Sequence, residues 1–497
     1  MQLRFTWFTA ILFSPFLWSV VTPVRPEIHL AGYLGGHDKD MGSAITVDHA
    51  GNVYIVGQTN SPDFPSTPGT VRTESNVNNN DWVGFAAKFR PDDRRPVYST
   101  FIGGRYRSVA NAVAADAAGN AFIVGTTCSA DFPTTHYAFQ PHAPGGGHGM
   151  EGCDAFVTKL DPTGSHFLYA TYLGGSASDT ATSVWVDPQD QAWVAGYTSS
   201  PDFPVSSDGR QRTLGGQKDG FLVELDAEGR RLLYGTFIGG LGDDIVQALA
   251  ADSRQMLYLA GSSTSASFLP GAKREEWTAF VLPFSLQRGA PEAKPLSLSS
   301  SGFSSALALA VGANDDVYVS GITGSKSLPT SANAYQHRLR GETAAFWSQL
   351  RFNPVSGSLK PLYTTLVGGS YETSGDAISV APDGAVTLGG WTRASDFPVT
   401  AQAFFAQLKR PDDAYLIRFA AAGAPPEFAT FLGGGTAPTT MGMGVKGLAG
   451  DKQGNLYITG LLNGPWLRGN PGPLQKEPAG NTDPFVLGLK FPHSRSR

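Results

Sequence analysis

Tyr98-Ser-Thr-Phe-Ile-Gly-Gly104 is the stretch on which the reading of this chain turns: an aromatic residue, two hydroxyl residues, two apolar residues, then Gly-Gly. The phrase returns as Tyr169-Ala-Thr-Tyr-Leu-Gly-Gly175, Tyr234-Gly-Thr-Phe-Ile-Gly-Gly240, Tyr363-Thr-Thr-Leu-Val-Gly-Gly369 and Phe428-Ala-Thr-Phe-Leu-Gly-Gly434. A shortened copy, Ala31-Gly-Tyr-Leu-Gly-Gly36, stands near the start. The first glycine of each pair falls at 35, 103, 174, 239, 368 and 433, so the spacings are 68, 71, 65, 129 and 65. The long gap is two periods, and a copy without glycines, Pro295-Leu-Ser-Leu-Ser-Ser300, lies inside it. Self-similarity at a fixed period marks a repeat architecture, here with seven periods of about 65 residues.

Each period carries the signals of four strands. In the second, Ala112-Val-Ala-Ala-Asp116 is small and apolar and ends in a tight Ala-Ala-Gly-Asn120 turn. Ala121-Phe-Ile-Val-Gly125 follows, then a loop with Asp131-Phe132-Pro133, then Asp154-Ala-Phe-Val-Thr-Lys-Leu-Asp161, and finally Leu168 to Leu173 with its Gly-Gly. Four hairpin-connected strands repeated seven times predict an all-β, seven-bladed β-propeller with four-stranded antiparallel blades. The runs Ala248-Leu-Ala-Ala251 and Ala306-Leu-Ala-Leu-Ala310 suit innermost strands, where strands converge on an axis and space is short. The ends predict how the ring closes. Asp483-Pro-Phe-Val-Leu-Gly-Leu-Lys490 reads as a third strand with no fourth after it, and Ile28 to Gly36 reads as a fourth strand with nothing before it. Pairing them completes the last blade and removes its exposed edge.

Composition agrees. With 60 Gly, 34 Pro, 11% aromatic and only 16% charged residues, the 497-residue chain is too apolar for disorder and too rich in turn residues for a helical bundle. A net charge of -5 and scattered Lys and Arg exclude the basic footprint that nucleic-acid binding needs. Residues 1–26 read as a secretory signal peptide or a retained N-terminal anchor: a short basic start, then an uncharged apolar run from Phe5 to Val21. Export is expected on either reading, to a secreted, periplasmic or cell-surface location, with membrane contact only through that segment. Residues 27–491 form one propeller, expected to be monomeric, and 492–497 a short tail. Cys128 and Cys153 fall at facing ends of two neighbouring strands, which predicts a disulfide in an oxidising compartment.

The phrases Tyr-Ser-Thr-Phe-Ile-Gly-Gly, Asp-x-x-Gly-Asn-x-Tyr/Phe-Ile-Val-Gly-x-Thr and Ser-x-Asp-Phe-Pro together resemble the SBBP repeat of seven-bladed β-propellers in bacterial exported proteins. The resemblance covers about residues 27 to 491. Blades with Asp63-Phe64-Pro65, Asp131-Phe132-Pro133, Asp202-Phe203-Pro204 and Asp396-Phe397-Pro398 match best. A fifth blade departs: it lacks Gly-Gly and carries Ser327-Leu328-Pro329, and the last has Gly464-Pro465-Trp466. The resemblance implies the fold and brings no shared activity or catalytic motif with it.

Each chemistry-bearing motif has a plainer explanation beside it. Asp48, Asp116 and Asp451, with variants at Asp187 and Asp252, lack the alternating oxygen donors of a calcium loop and suit turns. The Asp-Phe-Pro units read as loop anchors whose Phe fills the gap between blades. His136, His142 and His148, with Glu151, are spaced too loosely for a compact metal site. No Gly-x-Ser-x-Gly, His-Glu-x-x-His or Cys-x-x-Cys occurs. The expectation is therefore no cofactor, no metal and no catalytic residues.

Strand alternation puts the loops after Gly-Gly and the long loops between second and third strands on one face. His37, Asp38, Asp40, Arg105, Arg107, Asp179, Asp243, Asp244 and Glu372 are its candidate binding residues. The expected function is a non-catalytic binding or scaffold propeller for protein or carbohydrate. The alternative is a polysaccharide-active hydrolase or lyase built from channel-mouth carboxylates.

Overall fold

The computed structural model describes residues 24–75, 81–93, 95–145, 152–269, 271, 273, 275–286, 293–409, 411–433, 444–462, 472, 474–480 and 482–492. The apolar N-terminal segment to residue 23, His148, Glu151, Gly464-Pro465-Trp466 and the end of the tail lie outside the described residues.

Seven four-stranded antiparallel sheets are formed, each by strands consecutive in sequence except the last. Blades one to seven open with inner strands Asp40–Val47, Ser108–Ala115, Asp179–Val186, Asp244–Ala251, Ser304–Val311, Thr373–Val380 and Gly444–Gly450. Blade seven takes its fourth strand, Glu27–Tyr33, from the start of the chain. That strand pairs antiparallel with Asp483–Lys490, with Ala31 opposite Leu487 and Tyr33 opposite Phe485. The ring closes as the two chain ends predict.

Second and third strands are buried almost throughout, as in Val53–Thr59, Val83–Phe89 and Asp154–Leu160, because each sheet lies between two others. The apolar core is accordingly divided into seven clusters, each drawn from two adjacent blades. Leu30, Tyr457 and Val486 of blade seven pack with Val53, Phe85 and Phe101 of blade one in the closing cluster. The fold therefore gains a full interface when the ends meet.

The Asp-x-x-Gly-Asn segments are turns. Asp48 Oδ1 accepts the backbone N–H groups of Ala50 and Asn52, and Oδ2 accepts from the Asn52 amide and the Tyr54 hydroxyl. Gly51 sits at φ 81°, where a side chain would be strained. Asp116 and Asp451 repeat the pattern.

The two departures assigned to a fifth blade belong to neighbours. Ser299-Ser300 replaces Gly-Gly at the end of blade four, where the fourth strand shrinks to Leu296–Ser297, whereas Ser327-Leu328-Pro329 lies in blade five after strand Val317–Thr323. The interval between one Gly-Gly phrase and the next spans a blade's end and the following blade's loop.

Each inner strand also slips register once at an equivalent point: Gly42/Ala44, Ala110/Ala112, Ala181/Ser183, Val246/Ala248, Ala306/Ala308, Ser374/Ala377 and Val445/Gly447. A bulge turns an extra residue out of the ladder. Ser43, Asn111, Thr182, Gln247, Leu307, Gly375 with Asp376, and Lys446 are the residues freed in this way. The Asn111 amide donates to Ala181 O and the Thr182 hydroxyl to Val246 O, so two of them tie one inner strand to the next. Lys446 Nζ lies 2.6 Å from Asp376 Oδ2.

Candidate functional site

In blades one to six the end of the second strand is hydrogen-bonded to the loop that precedes the first strand of the same blade. Asn60 N donates to Lys39 O, Cys128 N to Arg107 O, Ser199 N to Ser178 O, Thr264 N to Asp243 O and Arg393 N to Glu372 O. The two loop classes thus share one face. The Asp-Phe-Pro units anchor it: Asp63, Asp131, Asp202 and Asp396 accept the backbone N–H of His37, Arg105, Ser176 and Ser370. Phe64, Phe132, Phe203 and Phe397 pack against rings of their own blade, for example Phe64 against Phe85 at 4.6 Å between centres, within the inter-blade clusters.

The nine candidate residues do not meet as one constellation; they are spread over five blade junctions. His37 bonds Asp63 at 2.6 Å and lies 3.4 Å from Asp38. Arg105 pairs with Asp131 at 3.5 Å, and Glu372 with Arg393 at 2.7 Å. Arg107 is exposed, and Asp243 lines a cleft of about 440 Å³ together with Glu275. Asp40, Asp179 and Asp244 lie beneath the face, each 0% exposed.

Those three carboxyls belong to a repeated buried motif. Asp40 Oδ2 accepts from Gly36 N at 2.8 Å and from the Ser61 hydroxyl at 3.0 Å. Asp179 repeats this with Gly175 and Ser200, and Asp244 with Gly240 and Ser265. Each stands beside the aspartate that opens the preceding blade's third strand: Asp483, Asp154 and Asp219 respectively. Burial, reinforced by the neighbouring carboxylate, pushes Asp40 and Asp154 up to about 7. Burial raises Asp179 and Asp244 to about 6 and also raises Asp219 and Asp483. Perturbed carboxyls of this kind often mark active sites, but none of these has surface from which to reach a substrate. Their work is to hold junctions together.

What the face offers a partner is different. Tyr106, Leu241, Phe303 and Tyr371 are 41%, 83%, 44% and 62% exposed, and all four sit just after the Gly-Gly position of their junctions. Below the rim between blades two, three and four opens a cavity of about 650 Å³. Arg107 and Lys218 stand at its mouth, Tyr197 forms part of its wall, and the freed residues Asn111, Thr182 and Gln247 extend it along the channel. Lys218 Nζ lies 5.1 Å from the centre of the Tyr197 ring. No Asp or Glu lines it. A charge-based reading of the sequence named Arg107 alone. The rim apolars lie within three residues after the Gly-Gly position but at no fixed offset, whereas the channel residues depend on the bulge and have no signal in the sequence.

Cys128 and Cys153 are disulfide-bonded, as their strand-end positions predict, and border the same cavity. Cys128 N donates to Arg107 O, and Cys153 O accepts from Asp179 N. The bridge thus joins the segments that carry two walls of the cavity. His136 and His142 are exposed, and no cluster of three or more His, Cys, Asp or Glu side chains suited to a metal ion occurs among the described residues.

Residues 32–65 match the family model described as the SBBP beta-propeller repeat. No curated protein matches the chain. Among solved structures, the WD40 beta-propeller domain of Doa1 is 11% identical with a TM-score of 0.41, over 94% of this chain and 98% of that one. A protein of unknown function from Dyadobacter fermentans is 10% identical with a TM-score of 0.41, over 94% and 99%. U3-55K is 11% identical with a TM-score of 0.43, over 93% and 99%. The matched segment runs from the closing strand through Gly35-Gly36 and Asp40 to Asp63-Phe64-Pro65, so the repeat is itself the blade junction. The chain is a seven-bladed β-propeller that carries a match to the SBBP repeat at residues 32–65.

Proposed function

We propose that this propeller is a non-catalytic binding scaffold that works outside the cytoplasm and takes protein or carbohydrate on its loop-rich face. The observation that carries the reading is the rim. Four of the eight large apolar side chains exposed among the described residues fall within three residues after the Gly-Gly position, in the loops that share one face. Scattered surface apolars need no explanation, but a set confined to the loops of one face supports an interaction surface. The disulfide supports an oxidising compartment.

The test compares a Leu241→Asp/Tyr371→Asp variant with Val355→Asp, which changes a 96%-exposed residue in the hairpin turn between the third and fourth strands of blade five. Ligands found on glycan arrays and extracellular-protein arrays should be lost by the rim variant and kept by Val355→Asp. Equal binding by both variants would refute the reading.

A polysaccharide hydrolase or lyase is the second reading, and the cleft shared by Asp243 and Glu275 is the observation in its favour. Release of new reducing ends from polysaccharide, abolished by Asp243→Asn, would establish it.

A further inference from the structure

We infer that the cavity between blades two, three and four is a binding site for an acidic saccharide, a sugar chain bearing uronate carboxylates. This rests on the loop-rich face being a recognition surface and specifies what one part of it recognises.

Charge is the first ground. The chain as a whole is acidic, with a net charge of -5, yet this cavity is bordered by Arg107 and Lys218 and by no carboxylate. Elsewhere on the same face Arg105 is paired with Asp131 and Arg393 with Glu372. Arg107 and Lys218 form no ion pair with any described residue. The backbone of Arg107 is held at both ends, its N–H donating to Asp81 Oδ2 and its carbonyl accepting from Cys128 N. A cation on a fixed backbone binds an anion at less cost in lost freedom than one on a loose loop.

Lining chemistry is the second ground. At about 650 Å³ the cavity is far larger than a lone inorganic anion needs and falls within the roughly 300–1,000 Å³ of ligand-sized sites. Its depth is lined by the Gln247 amide, by the Asn111 amide, which gives one N–H to Ala181 O, and by the Thr182 hydroxyl, which gives its O–H to Val246 O, so that the oxygens of the last two are left to accept. Sugar hydroxyls need partners of that kind, and the half-buried Tyr197 ring gives a pyranose a flat surface to lie on. An acidic peptide would use the two cations but brings the channel only one N–H and one C=O per residue, where a uronate ring brings several hydroxyls. The carboxylate of a uronate meets the cations while its ring hydroxyls meet the channel.

Titration calorimetry with the full propeller would use tetragalacturonate, its carboxyl-methylated ester, neutral cellotetraose and an oligoglutamate peptide. Tetragalacturonate should bind, and the ester and cellotetraose should bind at least tenfold more weakly. Arg107→Ala and Lys218→Ala should each weaken tetragalacturonate roughly ten- to a hundredfold, the range for a hydrogen bond to a charged group. Both side chains reach solvent, so an unchanged thermal midpoint separates lost binding from lost folding. Thr182→Val, which replaces the hydroxyl with a methyl and also gives up its bond to Val246 O, should weaken it less. Equal binding of cellotetraose, preferential binding of the peptide, or tetragalacturonate affinity unmoved by either cation variant would overturn the acidic-saccharide assignment and leave the recognition face standing. Ligands found on the arrays and lost with the rim variant, combined with no binding of any of these four probes, would likewise reject the saccharide alone.

Discussion

Asp40 and Asp483, from opposite ends of the chain, press their carboxyl groups onto the same α-carbon, that of Gly35. A methyl group added to Gly35 would lie 2.3 Å from Asp483 Oδ1 and 2.8 Å from Asp40 Oδ2. The arrangement recurs at Gly174, between Asp179 and Asp154, and at Gly239, between Asp244 and Asp219. At the other three fully described junctions the residues change together. Ser108 faces Val83 across Gly103, and Thr373 faces Ala344 across Gly368. Where Ser304 and Thr278 open the corresponding strands, Ser299 replaces the glycine and bonds Ser304 at 2.6 Å. After Asp413 the matching position, Met443 by repeat count, lies outside the described residues. At Gly35, Gly174 and Gly239 the first glycine of the phrase thus meets a space requirement set by paired carboxyls, while at Gly103 and Gly368 Ser, Thr, Val and Ala side chains crowd the same place.

Two carboxyls this close and this buried favour holding a proton, which predicts an unusual pH dependence. Their folded-state pKa values are raised, to about 7 for Asp40 and Asp154 and about 6 for Asp179 and Asp244, so the folded state binds more protons than the unfolded one. The stability they contribute is complete below the usual carboxylate range and is lost as pH rises to about 7. Buried His29, whose pKa is lowered, acts in the opposite sense but is a single group. Aspartates held low by hydrogen bonds, such as Asp48 and Asp226, lose their contribution only below about pH 4. The thermal midpoint should therefore be higher at pH 5 than at pH 8. Asp154→Asn and Asp483→Asn should each flatten that slope by stabilising the pH 8 form; a midpoint that rises from pH 5 to pH 8 would contradict the shared-proton account.

The same geometry ranks glycine substitutions. Gly174→Ala drives a methyl to within 2.6 Å of both Asp179 and Asp154 and should cost about 1–3 kcal/mol or more, as overpacking does. Ser299→Gly forfeits one hydrogen bond and should cost only about 1 kcal/mol. Urea midpoints of the two variants would show the order.

Cys128→Ser/Cys153→Ser opens a loop closed over a separation of 25 residues and should lower stability by about 3 kcal/mol on loop-entropy grounds. Because the bridge joins the Arg107 segment to the Asp179 segment, affinity at the adjacent cavity should fall as well, with the fold retained. Calorimetric unfolding and ligand titration of the same sample would check both.

Much of this was legible beforehand. The Gly-Gly period gave seven blades, the complementary ends gave the closure, and Cys128 with Cys153 gave the bridge. Asp40, Asp179 and Asp244 were read as surface charges because aspartate beside a loop usually meets water; only the junction shows them covered by a neighbouring blade. Lys218, Tyr197 and Gln247 gave no local signal, since each comes from a different strand or loop of the ring.

The sequence by itself determined the blade count, the strand order and which loops share a face, because these follow from a repeated short-range pattern and from strand alternation. Tertiary structure alone decided which carboxyls are paired and buried and where a ligand-sized cavity opens. Both depend on side chains from different repeats meeting across a junction, and on a one-residue bulge that changes which side of the inner strand a residue faces.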